Sequence, residues 1–279
     1  LSQGELVRRA QPEDFVAMVL AGGWPRASAA LDVSLVTRGG YPEVIRRNDA
    51  RAGRWLDNYA SRLAEHDARD LHQGGYADQV GRLMSLLASG GMSEVVKARL
   101  ARELTISEST VDAYLRMIRT MRLVVELPAW GRSPRSRVIH RSKLALTDTG
   151  LSAHLAGFTR AKAENLGGRE FLGSLVEQFV ALELLKQRGW SSELFDLGHY
   201  RDQDGLEVDI VVELRDGRLI AIEVKSGQTI TSRSWAGLQR FRERFADREV
   251  TAVVLHAGSQ VTHLFGWLHV LPISTLWQG

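Results

Sequence analysis

LEVDIVVELRDGRLIAIEVK occupies residues 206–225, and its two apolar-alternating halves hinge on Asp216-Gly217, a dipeptide suited to the positive φ of a tight hairpin. The stretch predicts two antiparallel strands, Leu206–Leu214 and Leu219–Lys225. Successive side chains of a strand point to opposite faces, so Glu223 and Lys225 share one face with Leu219 and Ala221. Ile220, Ile222 and Val224 then turn to the core. In the partner strand Asp209 falls with Glu207 and Val211, and Leu206, Val208, Ile210 and Val212 take the other side. The hairpin brings Asp209 and Glu223 together, so two carboxylates and an ammonium are expected to converge in mid-sheet.

Carboxylates a few ångströms apart repel one another and resist desolvation, a cost that a hard divalent cation relieves by taking their oxygens. Mg²⁺ fits, because it binds through one or two carboxylates and keeps several waters. A neighbouring lysine can orient or deprotonate an attacking water, or stabilise phosphate charge. Asp209, Glu223 and Lys225 are therefore the catalytic candidates, with Asp209 and Glu223 as metal ligands. A cross-strand ion network on a solvated face uses the same residue types, as does a folded core that has lost its activity. All three readings remain open at this point.

Outward from the hairpin, residues 157–279 predict α-β-β-β-α-β-β order. A helix over Glu170–Gln187 and a strand near Ser192–Phe195 come first, and a helix over Ser234–Phe245 and strands over Val250–His256 and Leu268–Pro272 follow. Residues 81–156 read as helix, helix, turn, helix and hairpin, the order of a winged helix-turn-helix. Here Ser93 is expected to cap the second helix, Thr105-Ile106-Ser107 to make the turn, and Ser109-x-x-Asp112 to open the third. The strands are expected over Leu123–Leu127 and Val138–Leu146. Arg116 and Arg119 lie off the apolar stripe of that third helix, and Arg132, Arg135 and Arg137 crowd the loop between the strands, with Arg141 and Lys143 close behind. Both groups suit phosphate contact, with DNA the expected polymer and RNA the alternative. Residues 1–80 form a helical segment: a short helix from Pro12 to Leu20, another around Ala27–Leu31, and a longer one from Arg51 to Leu71.

The composition is that of a globular chain: 279 residues, 44% hydrophobic and 25% charged, with a formal net charge of +3. No apolar run is long enough for a membrane span, and LSQGELVRR lacks the apolar core of a signal peptide. There is no cysteine, so disulfides and thiolate metal sites are excluded and the cytoplasm is the expected location. The histidines show no metal spacing. Lys97, Lys143, Lys162, Lys186 and Lys225 are the only lysines among 36 basic residues. Arginine is the default cation here, so a lysine at a special position invites scrutiny. LSQGEL reads like the middle of a longer chain, and an upstream domain is expected.

Asp209 with Glu223-Val224-Lys225 resembles the acid and E-x-K of the PD-(D/E)XK nuclease superfamily, with Val208 where the motif's proline would stand. That resemblance implies a third metal-binding carboxylate on the preceding helix, a place Glu177 fills and Glu183 contests. Gly39-Gly40-Tyr41-Pro42-Glu43, Leu146-Thr147-Asp148-Thr149-Gly150-Leu151 and the E-V-K strand together resemble the region that follows the nucleotide-binding core in a group of prokaryotic AAA-type ATPases. The resemblance implies an α+β, α/β multidomain chain. Its parts are a lid-like helical segment over 1–80, a winged helix over 81–156, and a PD-(D/E)XK restriction-endonuclease-like mixed sheet flanked by helices over 157–279. ATP would bind only through an upstream module, since G-x-x-x-x-G-K-[ST] is absent from this chain. A protein partner or a homo-oligomer is compatible with the same reading.

Overall fold

The computed structural model describes residues 1–7, 13–24, 29–68, 76–132 and 141–278. Helices α1 (Gln3–Leu6), α2 (Phe15–Ala21), α3 (Val33–Arg38), α4 (Pro42–Ile45), α5 (Asp49–Ala68) and α6 (Tyr76–Gly90) come first. Then follow β1 (Ser93–Glu94), α7 (Lys97–Leu104), α8 (Glu108–Thr120), β2 (Val124–Leu127), β3 (Lys143–Leu146), α9 (Thr149–Leu155) and α10 (Leu166–Gln187). The last part runs β4 (Phe195–Arg201), β5 (Glu207–Leu214), β6 (Leu219–Lys225), α11 (Ala236–Arg244), β7 (Val250–His256), β8 (Thr262–Leu264) and β9 (Leu268–Pro272). The fold is mixed α and β, and the chain divides into two compact units that are not contiguous in sequence. One holds 33–126 and 144–175; the other holds 1–32, 127–143 and 176–279. The linear division at 80 and 156 does not coincide with these units.

In the unit of 33–126 and 144–175, α6, β1, α7, α8, β2 and β3 succeed one another, and the strands form a sheet of order β1-β3-β2. That is winged-helix topology. Leu83, Met84, Leu104, Val111, Leu115, Ile118 and Leu146 fill its core. The tight turn falls where expected: Thr105 takes a left-handed conformation, and the Ile106 amide closes on the Ala101 carbonyl. Two capping expectations fail. Ser93 lies in β1 instead of capping a helix, and α7 starts at Lys97 without a side-chain cap. The cap of α8 is Ser107, whose hydroxyl accepts the Thr110 amide at 3.1 Å, while Asp112 pairs with Lys97 at 2.6 Å. A serine two residues nearer the break won because its backbone is already extended there.

The two glycine-bearing motifs of this unit meet. Asp148 caps α9 through the Leu151 amide at 2.9 Å, and its other oxygen accepts the Gly40 amide at 2.7 Å. Gly39 sits at φ 72°, and a Cβ there would collide with the Asp148 carboxylate; a Cβ on Gly150 would run into the Arg38 carbonyl. Tyr41 lies 5.5 Å from Trp55 and 5.2 Å from Tyr59, and those two rings stack at 5.0 Å.

The second unit is built on a six-stranded sheet of order β4-β5-β6-β7-β9-β8. β4, β5 and β6 form an antiparallel meander; β7 then runs parallel to β6, β9 parallel to β7, and β8 antiparallel to β9. Strands β6, β7 and β9 match the sequence reading. β4 begins at Phe195, where the expected strand over Ser192–Phe195 ends, and runs to Arg201, and β8 is additional. One face packs Leu219, Ala221, Val211 and Val254 against Leu238 and Phe241 of α11. The opposite face, with Ile210, Val212, Ile220, Ile222 and Val253, is buried as well. The sheet is thus covered on both sides, and alternation no longer separates core from solvent.

The stretch expected to be the wing loop contributes to this sheet. The Trp130 amide donates to the His199 carbonyl at 2.6 Å and the His199 amide donates to the Pro128 carbonyl at 2.9 Å, continuing the sheet beyond β4. Gly198 permits the approach, since a Cβ there would meet the Pro128 carbonyl at 2.9 Å. β3 starts at Lys143: Arg141 and Ser142 are outside it, and Val138 to His140 of the expected strand lie outside the described residues. The expected helix around Ala27–Leu31 falls partly outside the described residues, and Ala29 to Asp32 are not helical.

The Gly150 joint supplies a stability test. Gly150→Ala drives a methyl group into the Arg38 carbonyl and should destabilise the chain by roughly 2–3 kcal/mol. Urea unfolding should show a lower midpoint for it than for Gly53→Ala, where the added carbon would meet only His154 at 3.6 Å.

Candidate functional site

The hairpin predicted at residues 206–225 forms, but it opens at the end that carries the charged residues. β5 and β6 stay in register from Glu213–Leu219 to Ile210–Ile222. Beyond that pair, β6 continues beside β7 as far as Lys225. Asp209 fills the gap: its carboxylate accepts the Val224 amide at 2.8 Å, in place of a strand carbonyl. β5 also carries a bulge here, because Gly198 pairs with Val211 and Tyr200 with Val208, so β5 spends one more residue than β4 over this interval. The extra residue reverses the alternation. Leu206 and Val208 join Val211, Leu219 and Ala221 in one apolar cluster, whereas strict alternation puts Leu206 and Val208 on the opposite side from Val211.

Around this opening the structure gathers the expected residues and one that the sequence reading placed elsewhere. Lys225 donates to Glu223 at 2.6 Å. Glu177, on α10, accepts from Lys143 at 2.7 Å, and the same ammonium lies 3.2 Å from Glu207. Lys143, read as a wing cation, is instead buried, its side chain 5% exposed. Glu183 does not compete with Glu177: its oxygens take the Gln3 amide at 2.9 Å and Lys186 at 2.6 Å. Among expected residues, Glu177, Asp209, Glu223 and Lys225 therefore share one electrostatic neighbourhood. Lys143 and Glu207 complete it. Lys143 carried a weak signal in advance, being one of five lysines in an arginine-rich chain.

Charge is unbalanced in this neighbourhood. Glu177, Glu207, Asp209 and Glu223 face three cations, the ammonium groups of Lys143 and Lys225 and the Arg201 guanidinium 3.9 Å from Glu207. Burial, reinforced by the Asp209 charge, pushes Glu177 up to about 8 despite Lys143. Burial and Asp209 likewise push Glu223 up to about 7 against the pull of Lys225. Asp209 is also raised by burial, opposed by Lys143 and the Val224 amide. For Lys143, burial works against the charge, but Glu177 and Asp209 outweigh it and hold the ammonium above its ordinary range. Among the described residues, no three His, Cys, Asp or Glu side chains are gathered as a metal cage.

The expected nucleic-acid residues scatter. Arg116 is exposed on α8. Arg119 pairs with Glu126 at 3.2 Å. Arg132 belongs to the unit with the large sheet, where it pairs with Asp247 through both terminal nitrogens, at 3.2 and 2.8 Å, and lies over the Phe245 ring. Arg135 and Arg137 lie outside the described residues. No helix among the described residues is long and apolar enough to cross a membrane.

Comparison with known proteins agrees with a two-part chain. Residues 172–276 match the family model "Domain of unknown function (DUF4143)", which takes in Glu177 and the whole charged cluster except Lys143. Residues 33–162 match another, "Domain of unknown function (DUF8612)". Uncharacterized protein Rv2008c of Mycobacterium tuberculosis is 30% identical over 203 residues, covering 72% of this chain and 44% of the relative. Uncharacterized protein Mb2031c of Mycobacterium bovis matches at the same identity and coverage. The chain thus spans less than half the length of these curated relatives. Among solved structures, the reduced form of MarR from E. coli aligns at 17% identity with a TM-score of 0.22, covering 52% of this chain and 97% of that one. MepR of S. aureus, a transcription regulator of the multidrug efflux pump MepA, aligns at 13% with a TM-score of 0.20, covering 52% and 87%. Superpositions this loose assign neither fold nor ligand, so the winged-helix description rests on the strand order.

The raised carboxyl of Glu223 makes a signed prediction. Its native state holds the proton more tightly than the unfolded chain, so stability present below the ordinary range near 4.5 is lost as pH rises toward about 7. Glu223→Gln should therefore raise the melting temperature by a few degrees at pH 8 and have little effect at pH 4.5. Melting curves at the two pH values check it; an equal shift at both would contradict the assignment.

Proposed function

We propose that this chain is the C-terminal region of an AAA-type ATPase. In this reading its winged helix meets DNA, and its large sheet is a PD-(D/E)XK-type core acting on phosphodiesters with Mg²⁺. The observation that carries the nuclease part is the opened β5–β6 end, where Asp209, Glu223 and Lys225 converge beside Glu177. The α10-β4-β5-β6-α11-β7 order, with an antiparallel meander and then a parallel strand, supports the same reading. The ATPase part is supported by the paired glycine motifs and by the curated relatives' length, which leaves room for such a module.

The donors fit a divalent cation in chemistry: they are hard carboxylate oxygens in excess of the local positive charge. They fit less well in number, because Lys143 already engages Glu177. Asp209 and Glu223 would hold the cation, enough for Mg²⁺ with its waters. Bound there, it would polarise a phosphoryl oxygen and acidify a water. Lys225 keeps its proton, since the Glu223 carboxylate outweighs its burial and raises its pKa. Its part is to stabilise phosphate charge, and it is not the base. Hydrolysis adds water to phosphorus and breaks one P–O ester bond.

A second reading is favoured by Lys143 itself. An ammonium buried between Glu177 and Glu207 balances charge without any metal, which suits a DNA- or protein-binding region with an inactive core.

A cleavage assay separates these readings. Mg²⁺-dependent cleavage of DNA by the full chain, abolished in Asp209→Asn and in Glu223→Gln, supports the nuclease; binding without cleavage under every divalent ion tested leaves the second reading. For the winged helix, fluorescence anisotropy on duplex DNA should show affinity falling with salt. Arg116→Ala combined with Arg119→Ala should lower the slope of log K on log salt by about two. An unchanged slope removes α8 from the interface.

A further inference from the structure

Lys143 is the residue in the acidic neighbourhood that the proposed chemistry leaves without a task. It opens β3, and its side chain is 5% exposed, while its partners Glu177 and Glu207 are 16% and 40% exposed. An ammonium in that setting would lose its proton unless carboxylates held it, and two do, at 2.7 and 3.2 Å. The residue type fits as well. In a chain where arginine is the usual cation, this position carries a compact point charge in place of a planar fork.

The other end of the cluster is arranged differently. Asp209 spends one oxygen on the Val224 amide, and Glu223 spends one on Lys225, whose side chain is 38% exposed. Among the described residues, the second oxygens of Asp209 and Glu223 carry no protein hydrogen bond. We propose that Lys143 is a built-in cation at the Glu177 end of this acidic face. The cluster then has room for one divalent ion, at Asp209 and Glu223, instead of two. The divalent ion in this statement rests on the function proposed above; the role of Lys143 does not. Lys143 acts through Glu177 and Glu207, so it is a positioning residue.

The test counts Mn²⁺ bound to the full chain by electron paramagnetic resonance titration. Wild type should bind one ion. Lys143→Met keeps the aliphatic bulk and removes the charge, and should bind two. Adding Glu177→Gln to it should return the count to one. Two ions in wild type would overturn the proposal, as would one ion in a Lys143→Met protein whose circular dichroism is native. No ion in wild type and one in Lys143→Met would sustain the built-in cation and sink the divalent site at Asp209 and Glu223. No ion in either would overturn both. Should Lys143→Met fail to fold, thermal melting of Lys143→Met with Glu177→Gln decides: rescue of folding supports pairing of the two charges, and no rescue overturns it.

Discussion

The Val224 amide has no strand carbonyl to meet once β5 and β6 part, and the Asp209 carboxylate supplies the acceptor. A buried amide without a partner costs as much as a lost hydrogen bond, so this contact holds the end of the hairpin in its opened form. Much else follows from it. With Asp209 committed to the gap, Glu223 and Glu177 ionise beside an existing negative charge in a desolvated place, and both hold their protons more tightly. The two lysines offset part of that charge, Lys143 at Glu177 and Glu207 and Lys225 at Glu223.

The two lysines of the cluster differ in burial. Lys143 is enclosed and committed to Glu177, whereas Lys225 is more than a third exposed and paired to one oxygen of Glu223. A buried pair of this kind is weak evidence of stability, since desolvation offsets much of the attraction. The bulge in β5 shapes the same neighbourhood. Without the extra residue between Val208 and Val211, Asp209 would follow regular alternation and the apolar residues on either side of it could not join one core.

Much of this was legible in the residues. β6 and β7 carry β-branched runs, β9 a short apolar one, and the expected limits agree with the strands observed. The Thr105 turn between α7 and α8 was likewise marked locally. The helix caps were less so, because Ser93, Ser107 and Ser109 are chemically alike, and the backbone path decides which hydroxyl faces an orphan amide. The Gly39-Gly40 and Asp148-Thr149-Gly150 motifs were visible as motifs, but not their reason. They lie more than a hundred residues apart in sequence and are joined by one carboxylate, Asp148.

Composition and local pattern alone determined that this chain is a mixed α and β protein, that Asp209 and the E-x-K tripeptide lie on adjacent strands, and that thiol chemistry is absent. These depend on side-chain type and on periods of two or 3.6 residues, which are properties of short segments. Tertiary structure decided the rest. Residues 127–143 leave one unit to join the other, a bulge reverses the alternation around Asp209, Glu183 turns to the N-terminus while Glu177 turns to the cluster, and Lys143 enters it. Each depends on a partner distant in sequence, and no local period encodes which distant partner will be near.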